Sequence, residues 1–516
     1  LGIFGILAVV VMLASAACTR PVMSNRPGPP TQSSWLSTQL AYQADPTEDD
    51  PFPVNLDATA SATPDAPEPV VSPTFPATAT YESSQAGELI VYEAQSGDTL
   101  YAVAVRFSVH PSDITSDEPL PPEQSLIDPD QLLFIPDRLN IVGPAARLIP
   151  DSELIYSPHA YAFDVEEYVQ QQGGYLNQYT EYIGTDTLTG IEIVNRVAIN
   201  HSINPRILLA VLEYYTGWVS SPAVPSGSVY EYPLGYRGAT AVGLYRQMLW
   251  LAGQLGKGYY DWRAGRLTDI HLADGSIVRV SPDLNAGTVA LQYFLGLSRT
   301  RSQWDQALSV DGLVATYRHM FGDPWSYDYL LFEPGVAQPE LELPFIPGHI
   351  WAFTGGPHGA WERESAWAAL DFAPGTEETG CAVSEDWVAA SAPGLIVRSS
   401  EGVVVLDLDG DGREQTGWAL LYLHVAEDGR IPVGTYVETG DLLGHPSCEG
   451  GAATGTHVHM ARKYNGEWIL ADGPIPFVLS GWQARAGTSA YQGALVKGDQ
   501  TIIACPCASS STYIER

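Results

Sequence analysis

Gly455-Thr456-His457-Val458-His459 is the stretch on which the reading of this chain turns. In an extended strand successive side chains alternate between faces, so His457 and His459 lie on the same face. Two imidazoles on one strand face, joined by a carboxylate and a third His from neighbouring strands, make a workable zinc site with an open position for water. The neighbouring strands are legible. Gly394-Leu395-Ile396-Val397-Arg398, Gly402-Val403-Val404-Val405-Leu406 and Trp418-Ala419-Leu420-Leu421-Tyr422-Leu423-His424 are apolar, strand-like runs separated by turn residues. Five of the chain's eleven histidines, His358, His424, His445, His457 and His459, fall between residues 358 and 459.

Five pieces in order extend the pattern: Gly355-Gly356-Pro357-His358-Gly359, Leu370-Asp371-Phe372-Ala373-Pro374-Gly375, Ala392-Pro393-Gly394, Leu421-Tyr422-Leu423-His424, and the His457–His459 motif, preceded by a hairpin over Val433–Gly444. Together they resemble the lysostaphin-like zinc endopeptidases, the LytM and DD-endopeptidase group of cell-wall hydrolases. The resemblance covers roughly a quarter of the chain. It implies a mainly antiparallel β domain over residues 344–482 that binds Zn2+ through His358, Asp371 and His459. It further implies that His424 and His457 flank the attacking water and the scissile carbonyl, with His457 favoured as the base. A non-ligand imidazole can take a proton from water, and its partner can stabilise an oxyanion or protonate the leaving amine.

One departure bears on the ligand set. The family usually spaces its first His and its Asp by four residues, whereas His358 and Asp371 are thirteen apart. Glu362 stands at the four-residue offset and is a rival ligand. Asp371 is preferred because Phe372-Ala373-Pro374-Gly375 follows it as in the family. His445 has no match in the motif. Asp407-Leu408-Asp409-Gly410-Asp411-Gly412 resembles the start of a calcium loop, but Trp418 stands where the bidentate Glu belongs, and an acidic turn between strands needs no metal. Cys381 and Cys448 lie inside the peptidase-like region near metal motifs and are expected to pair. Cys505-Pro506-Cys507 is left open among a small disulfide, a metal site and free thiols.

Outward from this region the chain is modular. Residues 150–335 read as an all-α domain, with apolar spacing of three and four in Ile191–His201, Pro205–Trp218, Gly243–Leu255, Asn285–Leu297 and Trp304–Met320. Ile203–Leu212 resembles the helix that carries the catalytic Glu of lysozyme-like lytic transglycosylases. That position is Tyr215 here, and Glu213 lies about 200° away round a helix. A lysozyme-like but non-catalytic domain is expected. Residues 89–138 resemble a LysM domain, a small βααβ glycan-binding module, through Tyr92, Gly97-Asp98-Thr99-Leu100, Phe107, Asp113-Ile114 and Leu133-Phe134-Ile135-Pro136. The resemblance implies binding of peptidoglycan glycan.

Residues 1–18 read as an export leader too short to span a bilayer, ending in a lipobox-like Ala14-Ser15-Ala16-Ala17-Cys18 that makes Cys18 the lipidation site. With no initiator Met and no basic stretch, the chain is expected to be truncated at its start. Residues 19–88, rich in Pro, Ser, Thr, Ala and Asp, read as a tether, and residues 483–516 as a C-terminal tail. The balance of 25 basic against 60 acidic residues, a formal charge of −35, excludes nucleic acid as a partner. The sum is an exported, multidomain α and β protein held at the membrane by a lipid anchor, which hydrolyses peptide cross-links of peptidoglycan. The alternative is a non-catalytic wall-binding lipoprotein that activates or scaffolds other hydrolases.

Overall fold

A computed structural model describes residues 88–516, apart from 239, 363–364, 376–379 and 508. The leader, the tether and the lipidation expected at Cys18 lie outside the described residues. No helix among those described is long and apolar enough to cross a membrane.

The first module pairs β1 (Leu89–Glu93) with β2 (Leu132–Pro136) antiparallel around α1 (Leu100–Arg106). Thr99 caps α1 by accepting from the Ala102 N–H. Asp98, buried, accepts from the Tyr92 hydroxyl at 2.6 Å and from Arg106 at 2.6 Å, so the turn before the helix is fixed by a satisfied charge. The expected second helix is only a 3-10 turn at Pro111–Asp113. Pro119, Pro121 and Pro122 follow, and a chain without those N–H donors cannot continue a helix.

The middle module is mainly helical: α2 (Val165–Gln172), α3 (Gly190–His201), α4 (Pro205–Thr216), α5 (Leu244–Arg263), α6 (Ala286–Gly296), α7 (Arg301–Ala307) and α8 (Leu313–Phe321), with short single turns between. It is not all-α. Two hairpins interrupt it, β3 (Thr180–Ile183) with β4 (Asp186–Thr189) and β5 (Asp269–His271) with β6 (Ile277–Arg279). Local chemistry sets the helix ends. Thr189 and Glu192 form a reciprocal capping box at α3, and Asn204 followed by Pro205 starts α4. The apolar run Trp304–Met320 is two helices rather than one. The chain turns at Ser309–Gly312, where a Cβ on Gly312 would collide with the Ala307 carbonyl.

The C-terminal module is a nine-stranded antiparallel sheet in the order β13-β10-β11-β12-β15-β8-β7-β21, with β16 added to β15. Its strands are β7 (Ile350–Gly359), β8 (Trp367–Pro374), β10 (Gly394–Ser400), β11 (Val403–Asp407), β12 (Trp418–Leu423), β13 (Tyr436–Val437), β15 (Val458–Tyr464), β16 (Glu467–Trp468) and β21 (Tyr513–Glu515). A short pair, β9 (Val388–Ala389) with β14 (Leu442–Gly444), lies beside it. The segment expected as a tail is folded. Residues 483–516 belong largely to a four-stranded meander of β17 (Val478–Leu479), β18 (Trp482–Ala486), β19 (Gly493–Lys497) and β20 (Gln500–Ile503), and then to β21, which closes the edge of the main sheet against β7. Burial of Ala484, Leu495 and Ile514 fixes these strands.

Alternation sorts the sheet into two cores. Val404, Leu406, Leu420, Tyr422, Val458 and Met460 face one core together with the meander. Val403, Val405, Ala419, Leu421, Leu423 and Ala461 face the other, which is continuous with the helical module through Leu208, Tyr259 and Trp262. Where the three modules meet, Arg263 of α5 donates to the Ser96 carbonyl of the first module, to the Tyr259 hydroxyl at 2.8 Å and to Glu467 of β16 at 3.2 Å, with Asp151 at 3.1 Å.

Candidate metal centre

Register brings the centre together. His459 on β15 pairs directly with Asp371 on β8, so their side chains leave the sheet on one face. His358 reaches the same point through register shifts at Phe353/Gly355, Gly355/His358 and His358/Gly359 on β7. Gly355 makes room: a Cβ there would strike the Asp371 carboxylate.

The ligand atoms converge. His358 Nε2 is 2.9 Å from His459 Nδ1, and Asp371 Oδ1 is 3.3 Å from the first and 3.2 Å from the second. The other nitrogen of each ring faces a carbonyl oxygen, His358 Nδ1 to Gly356 at 2.8 Å and His459 Nε2 to Ala360 at 3.0 Å. A carbonyl can only accept, so those nitrogens carry the protons and the two facing nitrogens present lone pairs. Asp371 Oδ1 is buried and accepts no hydrogen bond. Three acceptor atoms face one another with no donor among them, which is a cradle for a cation. Two imidazoles and one carboxylate are a donor set that fits zinc. The electrostatics agree. Burial opposes charge on His358, yet Asp371 beside it holds its pKa above the ordinary value. Burial would likewise raise the Asp371 carboxyl, but His358 and His457 outweigh it and hold the group well below the usual carboxylate range.

His424 and His457 stand beside this group, their rings 4.5 Å apart. His424 follows β12 in a left-handed conformation, φ 69°, which turns the chain out of the strand. Its Nδ1 bonds the Glu449 carbonyl at 2.8 Å, and His457 Nδ1 bonds the Gly455 carbonyl at 2.8 Å. Each ring therefore keeps Nε2 as the acceptor, and His457 Nε2 lies 3.8 Å from Asp371 Oδ1. Burial, with His457 and His459 adding to it, holds the His424 pKa well below its ordinary value. Burial likewise lowers His459.

The other expected residues fall elsewhere. Glu362 sits outside the ligand group, its carboxylate 4.0 Å from His201 of the helical module. His445 packs on Trp387 with ring centroids 3.8 Å apart. Asp407, Asp409 and Asp411 cluster, and Asp407 is engaged by the N–H groups of Asp409, Gly410 and Gly412 as an acidic turn requires. Cys381 and Cys448 form a disulfide, and Cys505 and Cys507 form a second. In the helical module Glu213 accepts from the Val219 N–H at 2.9 Å and the Ser220 N–H at 3.1 Å, so it closes a helix end, while Tyr215 bonds Arg299. One neighbour of the centre went unread in the sequence. Tyr491, at the tip of the β18–β19 hairpin, stacks on His358 with centroids 4.1 Å apart and an interplanar angle of 21°. The short strand-like runs Gly493–Lys497 and Gln500–Ile503, separated by a turn at Gly498-Asp499, were the available signal that this segment is folded.

Comparison with known proteins adds a family model, two relatives and two solved structures. A family model described as the N-terminal domain of LasA matches residues 147–334, the stretch expected to be lysozyme-like. The chain is 26% identical over 374 residues to protease LasA of Pseudomonas aeruginosa (strain UCBPP-PA14), covering 67% of this chain and 80% of that protein. It is 27% identical over 158 residues to beta-lytic metalloendopeptidase of Achromobacter lyticus, covering 29% of this chain and 39% of that protein. Among solved structures, the M23 metalloprotease pseudoalterin is 24% identical, with coverage of 33% and 96% and a TM-score of 0.27. The catalytic domain of lysostaphin from Staphylococcus simulans is 21% identical, with coverage of 24% and 89% and a TM-score of 0.18.

Proposed function

We propose that this chain is a lysostaphin-like zinc endopeptidase that hydrolyses peptide cross-links of bacterial peptidoglycan. The observation that carries the reading is the convergence of three acceptor atoms, His358 Nε2, Asp371 Oδ1 and His459 Nδ1, with their outer nitrogens already held by carbonyls. These three residues would hold zinc. When bound, zinc supplies a Lewis acid that acidifies water and polarises a carbonyl.

The remaining steps belong to the chain. His457 accepts the proton of the attacking water at Nε2, because its Nδ1 proton is committed to the Gly455 carbonyl. His424, kept neutral by burial and held at Nδ1 by the Glu449 carbonyl, presents its Nε2 lone pair, so it accepts a hydrogen bond from the attacking water and orients it. The proton held on His457 passes to the leaving nitrogen as the C–N bond breaks, giving a carboxylate and an amine. Asp371 and the two backbone carbonyls fix the ring orientations throughout.

Around this centre we read the first module as a glycan-binding LysM-like unit, the helical module as non-catalytic, and Cys18 as the lipid-bearing residue of an exported protein. A scaffold without catalysis is the weaker reading, because all five positions are filled and four of them are nearly buried around one point. Digestion of purified peptidoglycan tests the proposal. New amino termini are expected, dependent on His459. Anhydro-muramic ends with no new amino termini would overturn it.

A further inference from the structure

We infer that Cys505-Pro506-Cys507 is a thiol-exchange site, a position at which small external thiols open and close a disulfide without disturbing the other one. The two disulfides differ in what they can do for the fold. Cys381–Cys448 joins residues 67 apart and so closes a long loop of the unfolded chain. Cys505–Cys507 joins residues 2 apart, and a loop that short removes far less chain entropy, so stability alone does not account for it. Two features of the site account for it better.

The first is access. Cys507 is exposed and Cys505 half-buried, in the connection between β20 and β21. A thiolate must approach one sulfur along the S–S direction, and Cys507 is the more exposed of the two residues. The second is the leaving group. The Cys507 N–H donates to Cys505 Sγ at 3.3 Å, so the negative charge that develops on Cys505 when the bond breaks already faces a donor. Pro506 between them carries no N–H and cannot compete for that sulfur.

The chemistry balances as ordinary exchange. A low-molecular-weight thiolate, RS−, attacks Cys507 Sγ. An S–S bond forms between RS and Cys507 as the Cys505–Cys507 bond breaks, and the electron pair leaves on Cys505 as thiolate. A second RS− attacks the RS sulfur of the mixed disulfide and releases RSSR, with Cys507 leaving as thiolate. Two thiols are thereby oxidised, and the chain's disulfide is reduced by two electrons. In reverse, Cys505 attacks the mixed disulfide at Cys507 and expels the thiol, the two residues being too close in sequence to separate.

The site is also anchored. The Cys505 N–H donates to the Phe353 carbonyl of β7 at 3.3 Å, and the Thr512 hydroxyl donates to the Cys507 carbonyl at 3.3 Å. Opening the S–S bond therefore leaves both sulfurs in place for closure.

The test uses the full native chain, graded concentrations of reduced glutathione, a quench with N-ethylmaleimide and peptide mass spectrometry. Cys505 and Cys507 are expected to be alkylated at a glutathione concentration roughly tenfold below that which opens Cys381–Cys448. Opening of both bonds together, or of Cys381–Cys448 first, would overturn the inference. Cys505→Ser removes the resolving sulfur. With oxidised glutathione that variant should keep one glutathione on Cys507, and failure to do so would show that Cys507 is not the sulfur attacked.

Discussion

Asp371 and His459 occupy one register pair between β8 and β15, and their ligand atoms stand 3.2 Å apart. Neither position can be vacated without leaving the other buried and facing an acceptor. His459→Ala and Asp371→Ala are therefore expected to lower zinc content from about one per chain to near zero, whereas Glu362→Ala keeps it. Metal analysis of the purified chains decides this. Loss of zinc in Glu362→Ala together with retention in Asp371→Ala would reverse the ligand assignment. Chelation should lower the melting temperature of the wild type by several degrees, since ligand at 100 times its Kd contributes about 2.7 kcal/mol, and should leave His459→Ala unchanged.

Gly355 is a test of the space around the carboxylate. A Cβ at this position would meet Asp371 itself. Gly355→Ala should reduce zinc occupancy while the chain still folds, at a cost of about 1–3 kcal/mol. Circular dichroism and metal content, measured together, check both halves.

His457→Ala and His424→Ala should each cut peptidoglycan hydrolysis by about 10²–10⁴ while zinc remains bound. Retained zinc is the part that separates them from the ligand variants. His424 is held well below the ordinary value of 6.5 by burial, so its own protonation should not limit the rate until the solution is more acidic than that. A pH–rate profile of His457→Ala, with the neighbouring imidazole removed, reads this directly.

His201 gives a prediction for stability. Burial in the helical module holds its pKa down at about 4 against 6.5. The unfolded chain then binds more protons than the folded one between these values, so the contribution is complete above pH 6.5 and is lost as pH falls toward 4. The loss is at most about 3 kcal/mol, at 1.36 kcal/mol per pKa unit. Urea unfolding at pH 7 and pH 4.5 should show a smaller difference in His201→Gln than in the wild type.

The Cys381–Cys448 bridge should contribute about 4 kcal/mol by the chain-entropy argument, given its span. The double variant Cys381→Ser with Cys448→Ser should lower the urea midpoint accordingly.

Much of the centre was legible because strand periodicity is strict. Once His457 and His459 lie in a strand they share a face, and the apolar runs before them supply the neighbouring strands. The rivalry between Glu362 and Asp371 was harder, because which carboxylate reaches a metal depends on register shifts in β7 that no local pattern encodes. The break at Ser309–Gly312 was missed because apolar spacing continues across it, and the steric need for Gly312 appears only once Ala307 is placed. Residues 483–516 were read as a tail because each strand there is short. Their pairing is non-local, with β21 closing on β7 more than 150 residues back in sequence. Tyr491 was lost with them.

Arg263 gives the assembly a mechanical property. A single guanidinium bonded to Ser96, Tyr259 and Glu467 ties three sequence-distant modules to one point, and water cannot easily replace a donor that is buried on all sides. Domains joined only by loops would swing independently, as beads on a string do. These are pinned like the arms of a caliper, so the distance from the first module to the metal centre is a constant of the molecule. Cuts made while the first module holds the polymer, as proposed above, should then fall at a fixed offset from it.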